Sequence, residues 1–184
     1  MKIIGITGTI GAGKGTIVDY LVQRKNFKHY SVRNFLIEEI KKQTLPINRD
    51  SMTMVANNLR KTHNPSYITD CLYEEALKNR QNAVIESIRT YGEVLSLRKH
   101  SNFYLFAIDA DIAERYRRVV KRNSETDHIS FEEFKASEYQ EMNNTDPNKQ
   151  NISKCISEAD FLFNNNKQIE DLYKEVEQVL AKIL

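Results

Sequence analysis

The chain has 184 residues, of which 40% are hydrophobic and 28% charged, with a formal net charge of +2 and a pI near 8.4. These values fit one globular domain and are too balanced to mark nucleic acid or a membrane surface as the main partner; a few arginines around an anionic pocket account for the small excess. Two cysteines, Cys71 and Cys155, make neither a disulfide framework nor a metal-ligand spacing and read as buried thiols of a reducing compartment. The apolar run near the amino end is too short for a signal peptide, and no stretch has the length to span a bilayer, so a cytoplasmic protein is expected.

In chain order, residues 2–7 form a β-branched apolar run ended by glycines, the pattern of a buried parallel strand. Residues 14–24 read as a helix with Ile17, Leu21 and Val22 on one side, 27–32 as a second strand and 33–42 as a helix. A helix over 50–61, capped by Asp50 or Ser51, and another over 66–78 follow. Then come a strand at 83–88, a helix at 91–99, the apolar strand 103–109 and a charged amphipathic helix at 111–122. Residues 123–128 are polar and read as a loop, after which Ser130 and Glu133 form a capping box for a helix reaching about 143. A helix at 149–157, a short strand at 160–163 and a closing amphipathic helix at 168–183 complete the chain.

Five strands alternating with helices, each crossover long enough for a parallel connection, predict an α/β chain of three layers, α/β/α, with a five-stranded parallel sheet. Ligands of such sheets bind at the carboxyl ends of the strands. Four predicted strand ends carry glycine or polar groups, namely Gly8, Ser31, Glu86 and Asp109, so they are expected to converge on one site.

The segment Gly8-Thr-Ile-Gly11-Ala12-Gly13-Lys14-Gly15-Thr16 lies between a predicted strand and a predicted helix. That is the setting of a phosphate-binding loop: glycines let the backbone wrap a polyphosphate, successive N–H groups and the helix dipole point at it, and the lysine reaches its terminal phosphates. Gly15 stands where the strict pattern has Ser or Thr, and the hydroxyl comes one residue later at Thr16. No guanine-reading NKxD motif is present, which leans towards ATP as donor.

This GKGT form resembles adenylate kinase and other nucleoside monophosphate kinases of the P-loop superfamily. The stretch Glu86-Ser-Ile-Arg89-Thr90 resembles their DGFPRT segment, with Glu in place of Asp and a loop one residue shorter. The resemblance implies that Glu86 orients hydrated Mg²⁺, that Thr16 contacts phosphate and reaches the metal through water, and that Arg89 grips the acceptor phosphate. Residues 30–36 resemble the ISTGDxLR segment, which puts Ser31 at the acceptor site. The family arginine there falls on Ile37, leaving Arg33 as the nearest substitute, with Arg60 on the following helical region.

Arg115, Arg118 and Arg122 share one helix face, and like charges on one face call for an anionic ligand. By resemblance to the helix entering the kinase lid, Arg118 lies near the adenine and Arg122 stabilises the transferring phosphoryl. The segment from Ala159 to Asn166 resembles the ending of several such kinases, dephospho-CoA kinases included, and places Asn165 by the nucleotide.

One kinase domain over 1–184 is expected, with an acceptor-binding helical region at about 31–80 and a small lid at about 118–145. The expected activity is transfer of the γ-phosphoryl of ATP, with Mg²⁺, to a nucleoside or deoxynucleoside monophosphate, by a monomer or homodimer. Dephospho-CoA kinase and a nucleotide-binding regulatory ATPase are the alternatives.

Overall fold

Residues 1–122 and 129–184 are described by the computed structural model, and the loop expected at 123–128 lies outside them. The apolar run near the amino end becomes β1, Ile3–Gly8, with every residue buried. It sits at the centre of the sheet between β3 (Ala83–Glu86) and β4 (Phe103–Asp109), with β2 (Lys28–Ser31) and β5 (Phe161–Asn164) outside them. Among the described residues the order is β2-β3-β1-β4-β5 and every pairing is parallel, as the crossover lengths predict.

The side-chain alternation of the strands divides the core in two. Ile4, Ile6, Val84, Phe106, Ile108 and Phe163 point to one face, covered by α1 (Lys14–Lys25) and α9 (Ile169–Ile183). Ile3, Ala83, Ile85, Phe103 and Leu105 point to the other. That face is covered by α2 (Val32–Lys42), α3 (Arg49–Thr62), α4 (Tyr67–Asn79), α5 (Tyr91–Leu97) and α8 (Ile152–Ser157). Phe106, fully buried in the first layer, packs on both Phe161 and Phe163; burying a phenylalanine of this kind contributes about 2–3 kcal/mol. The remaining helices, α6 (Ile112–Arg122) and α7 (Phe131–Met142), stand by the carboxyl ends of the strands, where the expected lid begins.

Two local expectations need correction. The cap of α3 is Asn48, whose side chain accepts from the Ser51 N–H, rather than Asp50 or Ser51; an Asx side chain two residues upstream reaches the same orphan donor. Cys155 is buried and its thiol is pushed up to about 12 by that burial, but Cys71 is only half-buried.

Candidate active site

The loop after β1 is built by glycine geometry. Gly8 has φ 137° and a Cβ there would collide with the Ile108 carbonyl oxygen of β4. Gly13, at φ 105°, opens α1, and its missing Cβ leaves room for the Asn165 amide. Asn165 is buried after β5 and donates through Nδ2 to the Ala12 carbonyl at 2.8 Å, so the last loop of the sheet braces the middle of the phosphate loop. Its own carbonyl accepts from Arg118 Nη2 at 2.7 Å. Arg118 Nη1 is buried without a hydrogen-bond partner among the described residues, a donor that an anion or base would satisfy.

Lys14 folds back on the loop and donates from Nζ to the carbonyls of Gly8 and Thr9, both at 2.8 Å. Some of its stem meets solvent, but desolvation around the ammonium, reinforced by the Arg89 charge, lowers its pKa from 10.5 to about 7. Glu86, at the end of β3, accepts from Ser31 Oγ at 3.1 Å and has His29 Nε2 at 3.5 Å. Burial alone would raise this carboxyl; the His29 and Ser31 bonds and the Lys14 charge outweigh it and hold the group below the usual range. Ser31 also caps α2 by accepting from the Asn34 N–H at 3.2 Å, so one hydroxyl fixes both the helix start and the carboxylate.

These groups open onto one cavity of about 680 Å³ at the carboxyl ends of the strands. Its phosphate-loop wall is Gly11, Gly13, Lys14, Gly15 and Thr16. Glu86, Arg89, Arg118 and Arg122 lie on its other walls, with Arg33 and Arg60 towards α2 and α3. Gly8, Ala12, Ser31 and Asn165 stand behind that surface and position it.

Arg60 is 3% exposed and its Nη2 is committed to Glu93 Oε1 at 2.9 Å. Glu93, itself fully buried, uses Oε2 to accept from the backbone N–H groups of Arg89 (2.7 Å) and Thr90 (2.9 Å). The pair therefore shapes the loop that presents Arg89. Its signal in the sequence was Thr90-x-x-Glu93, a capping box opening α5.

Arg115 departs from the expectation of three arginines sharing one anion. It is 4% exposed, donates from Nε to the Ala110 carbonyl at 2.7 Å, and is clasped by both carboxylate oxygens of Glu138 on α7. Its Nη1 also reaches the Ile10 carbonyl of the phosphate loop at 3.3 Å. It fastens α7 to the loop, while Arg118 and Arg122 face the cavity. Glu138, Glu141 and Gln150, none of them marked by a motif, complete this side.

A triphosphate fits these residues on three counts: the Cβ-free loop, the Lys14 ammonium and the partnerless Arg118 donor. Glu86 and Thr16 would hold a magnesium ion through its waters, an arrangement suited to a cation that keeps much of its hydration shell.

A family model described as an AAA domain matches residues 4–144. A UPF0200 protein of Methanocaldococcus jannaschii is 31% identical over 187 aligned residues, which cover all of this chain and 91% of that one. A UPF0200 protein of Methanococcus vannielii is 32% identical, with 100% and 97% covered. The chain belongs to the AAA-domain family and to the UPF0200 family. Among solved structures, TT1252 from Thermus thermophilus superposes with a TM-score of 0.65 at 21% identity, covering 100% of this chain and 98% of that one. A gluconokinase from Sinorhizobium meliloti gives 0.61 at 10% identity, with 99% and 93% covered. A shikimate kinase from Bacteroides thetaiotaomicron gives 0.59 at 13%, with 98% of each chain covered. The fold of this UPF0200 protein is thus that of the small P-loop kinases.

Proposed function

We propose that this protein is an ATP-dependent phosphotransferase that moves the γ-phosphoryl group to a nucleoside or deoxynucleoside monophosphate. The observation that carries the reading is the meeting of Lys14, Arg89, Arg118 and Arg122 with the carboxylate of Glu86 around one cavity at the phosphate loop. A site that only stored a nucleotide has no need of a second cluster of guanidinium groups beyond the phosphate cradle; a transfer site does, because both donor and acceptor bring negative charge.

Magnesium supplies neutralisation of the triphosphate charge when bound. The chain's residues supply position and electrostatics. Loop amides and Lys14 hold the β- and γ-phosphates, and Arg118 and Arg122, on the wall of the cavity, offer positive charge to the transferring group. Arg89, its backbone fixed by Glu93, offers a planar fork to the acceptor phosphate. Glu86, ionised and oriented by Ser31 and His29, would hold the ion through its waters. No covalent intermediate is needed, since the chemistry rests on alignment of the two phosphates and stabilisation of their charge.

An ADP-release assay with Mg-ATP across nucleoside monophosphates, deoxynucleoside monophosphates and dephospho-CoA tests the reading. Release stimulated by one or more monophosphates is expected. Stimulation by dephospho-CoA alone replaces the acceptor class, and ATP binding without stimulation by any member of the panel leaves the regulatory ATPase.

A further inference from the structure

Arg89 already has an anionic partner from within the chain. Its main chain is locked on both sides: the N–H donates to Glu93, and the carbonyl accepts from the Asn151 N–H at 2.8 Å. The guanidinium is held by partners of its own: Nη1 donates to Gln150 Oε1 at 2.8 Å and to Glu141 Oε2 at 3.3 Å. Glu141 lines the same cavity as Lys14 and Arg89. It is set there by a firm attachment, because Glu138, one turn earlier on the same face of α7, is clasped by the buried Arg115.

We propose that Glu141 is a specificity-determining residue: its carboxylate occupies Arg89 as an internal stand-in for the acceptor's anionic group, and only a phosphate-bearing acceptor displaces it. This deepens the reading of Arg89 as the acceptor grip and rests on it. A carboxylate-bearing acceptor offers Arg89 the charge that Glu141 already supplies, and it meets the displaced Glu141 as a like charge nearby. A phosphate dianion brings greater charge and more acceptor oxygens for the fork, so the exchange favours it. Glu141 in this way rejects one class of acceptor as well as holding the arginine for the other.

The test fills the phosphate loop with the magnesium complex of β,γ-imido-ATP and then titrates inorganic phosphate or acetate by calorimetry at about pH 8, where phosphate is a dianion. The wild-type protein is expected to bind phosphate and not acetate. Glu141→Gln is expected to bind phosphate about fivefold more tightly, the scale of one partly exposed ion pair, and to gain acetate binding. Arg89→Ala is expected to bind neither. Should Glu141→Gln fail to fold, Glu141→Asp, whose shorter side chain releases Arg89, reads the same tightening. Equal or weaker phosphate binding on removing Glu141 overturns the proposal, as does phosphate binding that survives loss of Arg89 or is absent throughout. This readout needs no turnover. Phosphate exchange at Arg89 with no acceptor-stimulated ADP release overturns the kinase reading and leaves Glu141 its place, and the reverse result does the opposite.

Discussion

Asn165 and Ala12, 153 positions apart, are joined by an amide-to-carbonyl hydrogen bond of 2.8 Å that ties the loop after the last strand to the crown of the phosphate loop. The same asparagine holds Arg118 through its carbonyl, so a single residue sets both the cradle and one of the guanidinium groups facing the cavity.

Asn165→Ala is expected to leave the Ala12 carbonyl without its partner and to relax the loop. Isothermal titration should show Mg-ATP binding weakened about fivefold to tenfold, as for loss of one buried hydrogen bond, with a lower melting temperature. Gly13→Ala is expected to be worse: φ 105° is costly for alanine, and its Cβ collides with the Asn165 amide. ATP affinity unchanged in both variants would remove the brace from the account.

The pKa of Lys14 gives a pH signature. In the folded, ligand-free protein it is lowered from 10.5 to about 7, so between those values the unfolded chain binds more protons than the folded one. Stability from this group is therefore absent below pH 7 and grows as pH rises towards 10.5. Relative to Lys14→Met, wild-type protein should gain roughly 2 kcal/mol between about pH 7 and 9 in denaturant titrations. Phosphate charge restores the ammonium, so Mg-ATP binding at about pH 8 should take up close to one proton in wild type and none in Lys14→Met, read from calorimetry in buffers of different ionisation enthalpy.

Much of this architecture was legible in the sequence because its signals are local. The run ending at Gly8, the glycines around Lys14 and the Ser130–Glu133 box each declare themselves within a few residues, and they appear as β1, the phosphate loop and the start of α7. The cavity's cations were legible for the same reason, since Lys14, Arg89, Arg118 and Arg122 lie in or beside recognisable segments. The pairings were not. Glu93 meets Arg60 across 33 positions, Glu138 meets Arg115 across 23, and Glu141 meets Arg89 across 52. Nothing in the periodicity of either partner encodes such a contact. Arg115 and Arg118 look equivalent on a helix face, and only the position of α7 assigns one to fastening and leaves the other facing the cavity.

Arg60→Ala should be among the most damaging substitutions away from the phosphate loop. It strands the fully buried Glu93 carboxylate, and breaking a buried pair on one side costs about 3–5 kcal/mol. Chemical denaturation measures this directly. Because Glu93 also holds the Arg89 and Thr90 N–H groups, acceptor KM should rise in the same variant. A loss under about 1 kcal/mol would mean that the pair is solvated in solution.

Glu86→Gln keeps the shape of the β3 end and removes its charge. Acceptor-stimulated turnover should fall about a hundredfold in kcat, the loss expected when one electrostatic group at the metal is removed, with little change in acceptor KM. Excess Mg²⁺ should recover part of the loss if the carboxylate acts by holding the hydrated ion. A large rise in acceptor KM with kcat unchanged would instead place Glu86 at the acceptor.

Phosphoryl transfer itself is the activity to be measured. The most direct measurement follows the label from γ-labelled Mg-ATP in the presence of the monophosphate that best stimulates ADP release. The label is predicted to appear on that monophosphate faster than on inorganic phosphate, and to stay on ATP in Lys14→Met. Label found only in inorganic phosphate, at a rate no monophosphate alters, would contradict it.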